Sequence, residues 1–224
     1  MPPPVAPANE LAPPPDPQQK PGWHEHDGFY AHFGLGFSGY SDAIKSEDIA
    51  IPGGGEDSVE GVITGFATVS EVAVGGTIGT GFVLGLGLWS TTALTTTFTP
   101  VDDNPPAGLS VPAEFVRPEN FVIVGPFMDW FFNARKGVHL TAALGLATLT
   151  GLNTESPRLR DRDTALGGGL MLGLGHEWWV AGNWGVGVLG RLTAGIVTEE
   201  DDAGVRWNHL LFAFPSMLFT ATYH

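Results

Sequence analysis

The sequence contains no cysteine, only 10 lysines and arginines, and charged residues at 15% of its 224 positions. Without cysteine there is no disulfide framework, no thiolate metal centre and no cysteine-linked lipid anchor. Ten cations stand against 24 acidic residues, for a net charge of −14. That balance argues against a nucleic-acid partner, because phosphate binding draws on Lys and Arg. A water-soluble domain usually carries about 25% charged residues, so this surface has too few to face water everywhere. Disorder is excluded by the other side of the composition, an apolar share of 43%. The first residues also lack the apolar core of a signal peptide. The opening MPPPVAPANE reads as a mature chain with an added Met, its export signal already removed.

What is abundant is glycine, at 32 positions, about twice the usual share. Proline is concentrated at the start, in PPPVAP and LAPPPDPQQKPG, a composition that favours extended polyproline II with nothing to pack against. The length suits one domain. The chain therefore divides into a proline-rich tail over residues 1–27 and a folded body over 28–224.

The body alternates. Phe29, Ala31, Phe33, Leu35 and Phe37 interleave with Tyr30, His32, Gly34, Gly36 and Ser38. That is a period of two, a strand with one apolar face and one small or polar face. The same pattern returns around Leu84, Leu144, Leu172 and Val186, and three weaker β-rich segments cover 66–78, 121–132 and 207–223. The total is eight strands, each long enough for the 9–11 residues of a transmembrane strand. Connections are expected at 41–65, 79–80, 95–119, 133–137, 151–163, 180–183 and 198–206, alternately long and short. Long–short alternation is the mark of an up-and-down barrel with one outward and one periplasmic rim, and it puts both termini on the periplasmic side. The expected fold is all-β: an eight-stranded antiparallel up-and-down transmembrane β-barrel.

A soluble barrel would place its large residues inside. Here Glu71, Asp129, Glu177 and Arg191 all share a face with the glycines and none with the leucines. Alternate glycines make a poor solvent face but suit a narrow lumen of about eight strands, so the large apolar residues are expected to face lipid. A helical span over residues 72–101 is disfavoured by six glycines between Gly75 and Gly87 and by the threonine run that follows. Trp130, Trp178, Trp179, Trp184 and Tyr223 fall at strand ends on the short-turn side and read as a periplasmic aromatic girdle. Trp89 and Trp207 are expected at the opposite rim.

The stretches HDGFYAHFGLGFSGYS, LGHEWWVAGNWGVGVLGRL and SMLFTATYH resemble the small outer-membrane β-barrel proteins of Gram-negative bacteria, similar in architecture to OmpA and OmpX barrels. The resemblance runs over residues 28–224. It implies outer-membrane residence, insertion by the barrel-assembly machinery, and no enzyme activity in most members. Such barrels usually end in an aromatic residue; here Tyr223 stands one place early, before His224.

The candidate lumen set is His32, Glu71, Asp129, His139, Glu177 and Arg191. Unpaired charges in a narrow interior cost several kcal/mol, so these residues are expected to pair, either as a plug in place of a hydrophobic core or as a gate. Arg191 faces a choice between Glu71, across the lumen, and Glu177. Eight strands leave no channel comparable with the large porins. Ser38, His32 and Glu71 share the interior face, but a lipid hydrolase needs its nucleophile towards the bilayer, so no enzyme is expected. Nothing requires a cofactor. No metal is expected either, although His24 and His26 in WHEHD form a weak candidate pair. Acidic loops at Asp42, Glu47, Asp48, Glu56, Asp57 and Glu60, and at Glu199, Glu200, Asp201 and Asp202, suit divalent cations that bridge to anionic surface glycolipid. Arg135 and Lys136 are placed to meet lipid phosphates. The expected partners are outer-membrane lipid and glycolipid, with the N-terminal tail free for a periplasmic partner.

Overall fold

The computed structural model describes residues 25–47, 49–51, 55–58, 60–101, 119–151, 164–200 and 205–224. Among them, eight long strands close into one ring: β1 Phe29–Glu47, β4 Glu60–Gly79, β5 Phe82–Pro100, β6 Glu119–Phe131, β7 Gly137–Gly151, β8 Thr164–Ala181, β9 Trp184–Glu200 and β10 Arg206–Tyr223. Every strand is antiparallel to its neighbour, and β1 completes the ring against β10, with Ala31 opposite Tyr223. Two short strands, β2 Ile49–Ile51 and β3 Gly55–Asp57, pair with each other between β1 and β4.

Alternation sets the two faces. Phe33, Leu35, Phe37, Leu84, Leu86, Leu144, Leu172 and Phe219 point outward and are exposed. His32, Ser38, Glu71, Asp129, Thr141 and Arg191 point inward and are buried. No soluble fold leaves such a continuous apolar wall uncovered; it is the outer face of a barrel made for lipid.

The strands run further than the sequence pattern predicted. Residues 41–65 were expected as one long loop, yet β1 continues to Glu47 and β4 begins at Glu60, with Lys45 opposite Glu60. The expected loop from 95 likewise begins only after Pro100. Polar side chains in these extensions look like loop sequence, but a strand rising beyond lipid needs no apolar outer face. The short connections run 80–81, 132–136 and 182–183, and the start of β1 and end of β10 lie on that same rim. Residues 1–24 of the proline-rich tail lie outside the described residues. The folded body starts before 28, since the His26 amide donates to the Ala134 carbonyl at 2.9 Å.

Candidate functional site in the barrel interior

The six candidate lumen residues meet inside the barrel. Arg191 of β9 reaches across the lumen to Glu71 of β4, Nη1 to Oε2 at 2.8 Å. The other Glu71 oxygen lies 2.7 Å from His32 Nε2. His32 Nδ1 is 3.0 Å from Thr222 Oγ1, and Thr222 donates in turn to Glu177 Oε1. Beside this chain, Asp129 accepts from the Tyr30 hydroxyl at 2.8 Å and lies 2.7 Å from His139 Nδ1. A cavity of about 10 Å³ remains among Tyr30, Glu71, Trp89, Asp129 and Met171, about the room of one water.

Glycine makes this crowding feasible. A Cβ on Gly34 would fall 2.8 Å from Glu71 Cγ, and one on Gly175 would fall 2.0 Å from His139 Nε2. Small residues on the inward face therefore let charged side chains lie across the neighbouring strands.

The floor of the barrel was not foreseen. His224, just after β10, turns inward: its Nε2 lies 3.3 Å from Glu177 Oε2 and 3.0 Å from His26 Nδ1. His26 stacks on Phe131, ring centroids 3.5 Å apart, and both histidines pack against Trp179. Burial, reinforced by the neighbouring His224, pushes the His26 pKa down to about 3, so this imidazole is neutral. His24 lies outside the described residues.

The aromatic positions divide. Trp130, Trp178 and Trp184 are exposed on the outer face at the short-turn rim, and Tyr223 packs edge-on to Trp184 at 5.3 Å. Trp179 departs from the expected girdle, because it shares strand parity with Glu177 and its indole turns in over the floor. Trp89 departs from the opposite rim for the same reason: it sits opposite Glu71, buried against Phe127. Trp207, opposite Ser46, does lie at the long-loop rim.

Other expectations are relocated by the longer strands. Asp42 is no loop residue; it is buried in β1 and lies 2.8 Å from His209 Nδ1. Glu60 pairs with Lys45 at 2.5 Å on the barrel wall. Glu199 and Glu200 end β9, while Asp48, Asp201 and Asp202 lie outside the described residues, and Glu47, Glu56 and Asp57 are described in backbone only. Arg135 donates through Nε to Glu25 at 2.8 Å. Ser38 bonds Ser216 at 2.8 Å and the Gly39 carbonyl, and His32 is engaged elsewhere, so these residues do not form a nucleophile–base pair. Tyr30, Tyr40, His209 and Thr222 were missed; Tyr30 and Tyr40 share the parity of His32, but on β10 the register shift between Ala213 and Ser216 switches the inward parity, so no single alternation marks both His209 and Thr222.

An eight-stranded up-and-down ring with an apolar wall and a polar, filled interior is the architecture of the small outer-membrane barrels. Among solved structures, the chain is similar to Neisserial surface protein A, NspA, at 14% identity and TM-score 0.47, over 88% of this chain and 96% of that one. It is similar to the outer membrane protein OprG of Pseudomonas aeruginosa at 10% identity and TM-score 0.40, over 90% and 99%. The outer membrane protease OmpT of Escherichia coli matches at 12% identity and TM-score 0.36, over 88% and 97%. No protein-family model and no curated protein matches the sequence.

Proposed function

We propose that this is an integral outer-membrane protein whose lumen is filled by an ion-paired network, and that it serves as a structural or interaction protein, with no enzyme activity. The observation that carries this reading is the Arg191–Glu71–His32 contact spanning the interior beneath a wall of outward leucines and phenylalanines. Ser38 is taken up by Ser216 and the Gly39 carbonyl, in keeping with a structural place for its hydroxyl. Short turns usually face the periplasm in such barrels, which puts the start of β1 and the end of β10 there. The proline-rich tail is then free for a periplasmic partner. The acidic long-loop side faces outward, towards surface glycolipid and the divalent cations that bridge it. The barrel-assembly machinery inserts the chain.

Planar-bilayer recording of the reconstituted protein tests the filled lumen. The expected result is no steady conductance; stable channel steps in the wild type would replace the plug with a narrow gated pore. Membrane embedding is tested separately by Leu86→Arg, which places a cation on the lipid face and is expected to destabilise by about 2–4 kcal/mol near the bilayer midplane. Urea unfolding in lipid vesicles reads this, and unchanged stability would show that Leu86 does not meet lipid.

A further inference from the structure

We propose that His26, Glu177 and His224 form a binding site for a divalent transition-metal ion of the zinc type, clasping the segment before β1 and the end of β10 to β8. All three side chains are buried, and one ligating atom from each lies within 4.8 Å of the others. Two imidazoles and one carboxylate, with a position left open, are a ligand set that zinc accepts.

The spacing fits. A tetrahedral ion with bonds of 2.0–2.1 Å holds its ligands about 3.3 Å apart. His26 Nδ1 to His224 Nε2 is 3.0 Å, and His224 Nε2 to Glu177 Oε2 is 3.3 Å. His26 Nδ1 is 3.0 Å from one His224 ring nitrogen and 3.3 Å from the other, so the two rings meet at their nitrogens. His26 Nε2 is buried with no hydrogen-bond partner. With the proton on Nε2, Nδ1 presents a lone pair to the cluster.

The surroundings suit a metal as well. Thr222 donates to Glu177 Oε1 and leaves Oε2 directed at the cluster, the outer contact that fixes a ligating carboxylate. Phe131 and Trp179 pack on His26 and limit water. The site lies in the floor and does not depend on whether the lumen conducts.

The test is Zn²⁺ competition with a chromophoric chelator, on the full-length folded barrel in detergent, with Co²⁺ absorption as a second reading. The expected result is one Zn²⁺ per chain and the intense visible bands of four-coordinate Co²⁺, displaced by Zn²⁺. His26→Ala, outside every strand, should weaken Zn²⁺ binding at least tenfold with an unchanged β-sheet spectrum, and Glu177→Gln should weaken it with little change in shape. His176→Ala, on the outer face beside Trp178, should leave affinity unchanged. The proposal is overturned if the wild type binds no Zn²⁺, or if His26→Ala and Glu177→Gln both retain wild-type affinity.

Discussion

The two halves of the lumen solve the same packing problem differently. In the half nearer the short turns, Arg191, Glu71, His32, Thr222, Glu177, His224 and His26 form one unbroken series of polar contacts, with Tyr30, Asp129 and His139 alongside. One apolar cluster runs through both halves, from Tyr30, Val83, Phe127 and Phe131 near the short turns to Ile63, Phe121, Leu149 and Leu211 near the long loops, and in the latter half no long polar series runs beside it. There the buried acids sit in smaller groups, Asp42 with His209, which also lies 3.6 Å from Glu199, and Glu119 with the Tyr40 hydroxyl at 2.8 Å. Polar groups inside a barrel are tolerated either by being linked in one long series or by being gathered in small groups within apolar packing. The linked arrangement makes each member depend on the next.

The largest expected effect falls on the linked half. Arg191→Met leaves the buried Glu71 charge without its cation and should cost about 3–5 kcal/mol, read by urea unfolding; adding Glu71→Gln should restore part of the loss. Full additivity of that pair would show that the contact across the lumen contributes nothing. In the other half, Tyr40→Phe removes only the hydroxyl that donates to Glu119 and should cost about 1.5–3 kcal/mol, the worth of one hydrogen bond to a charged group. A loss as large as that of Arg191→Met would erase the distinction between the halves. The smallest effect is a coupling. Arg191→Met combined with His209→Ala should be additive within about 0.3–0.5 kcal/mol, whereas Arg191→Met with His32→Ala should depart from additivity by more. Double-mutant cycles measure both, and strong coupling between Arg191 and His209 would show one network and not two.

Much of this was legible in the sequence because a strand has a period of two. Parity alone puts Glu71, Asp129, His139, Glu177 and Arg191 inside and Leu86, Leu144 and Leu172 outside. Parity also held the answer for Trp89 and Trp179, but tryptophan near a strand end was read as an interfacial residue, a chemical preference that packing overrode. The upper strand ends around Asp42 and Glu60 were hidden because strands beyond the lipid lose the apolar alternation that reveals them. The choice of Glu71 over Glu177 by Arg191 depends on the width of the ring and the relative height of distant strands, which neighbouring residues in the chain do not encode. His224 and His26 come together for the same reason.

The contact between His26 and His224 joins residues 198 positions apart. Loop closure over such a span is entropically costly and slow compared with hairpin pairing between consecutive strands. Seven of the eight ladders can form between strands adjacent along the barrel, one hairpin after another; only β1 on β10 must wait for the far end of the chain. The floor is therefore a record of the final step of folding. Amide protons at the β1–β10 seam should gain exchange protection last, and the two histidines meet only in a molecule whose ring has shut.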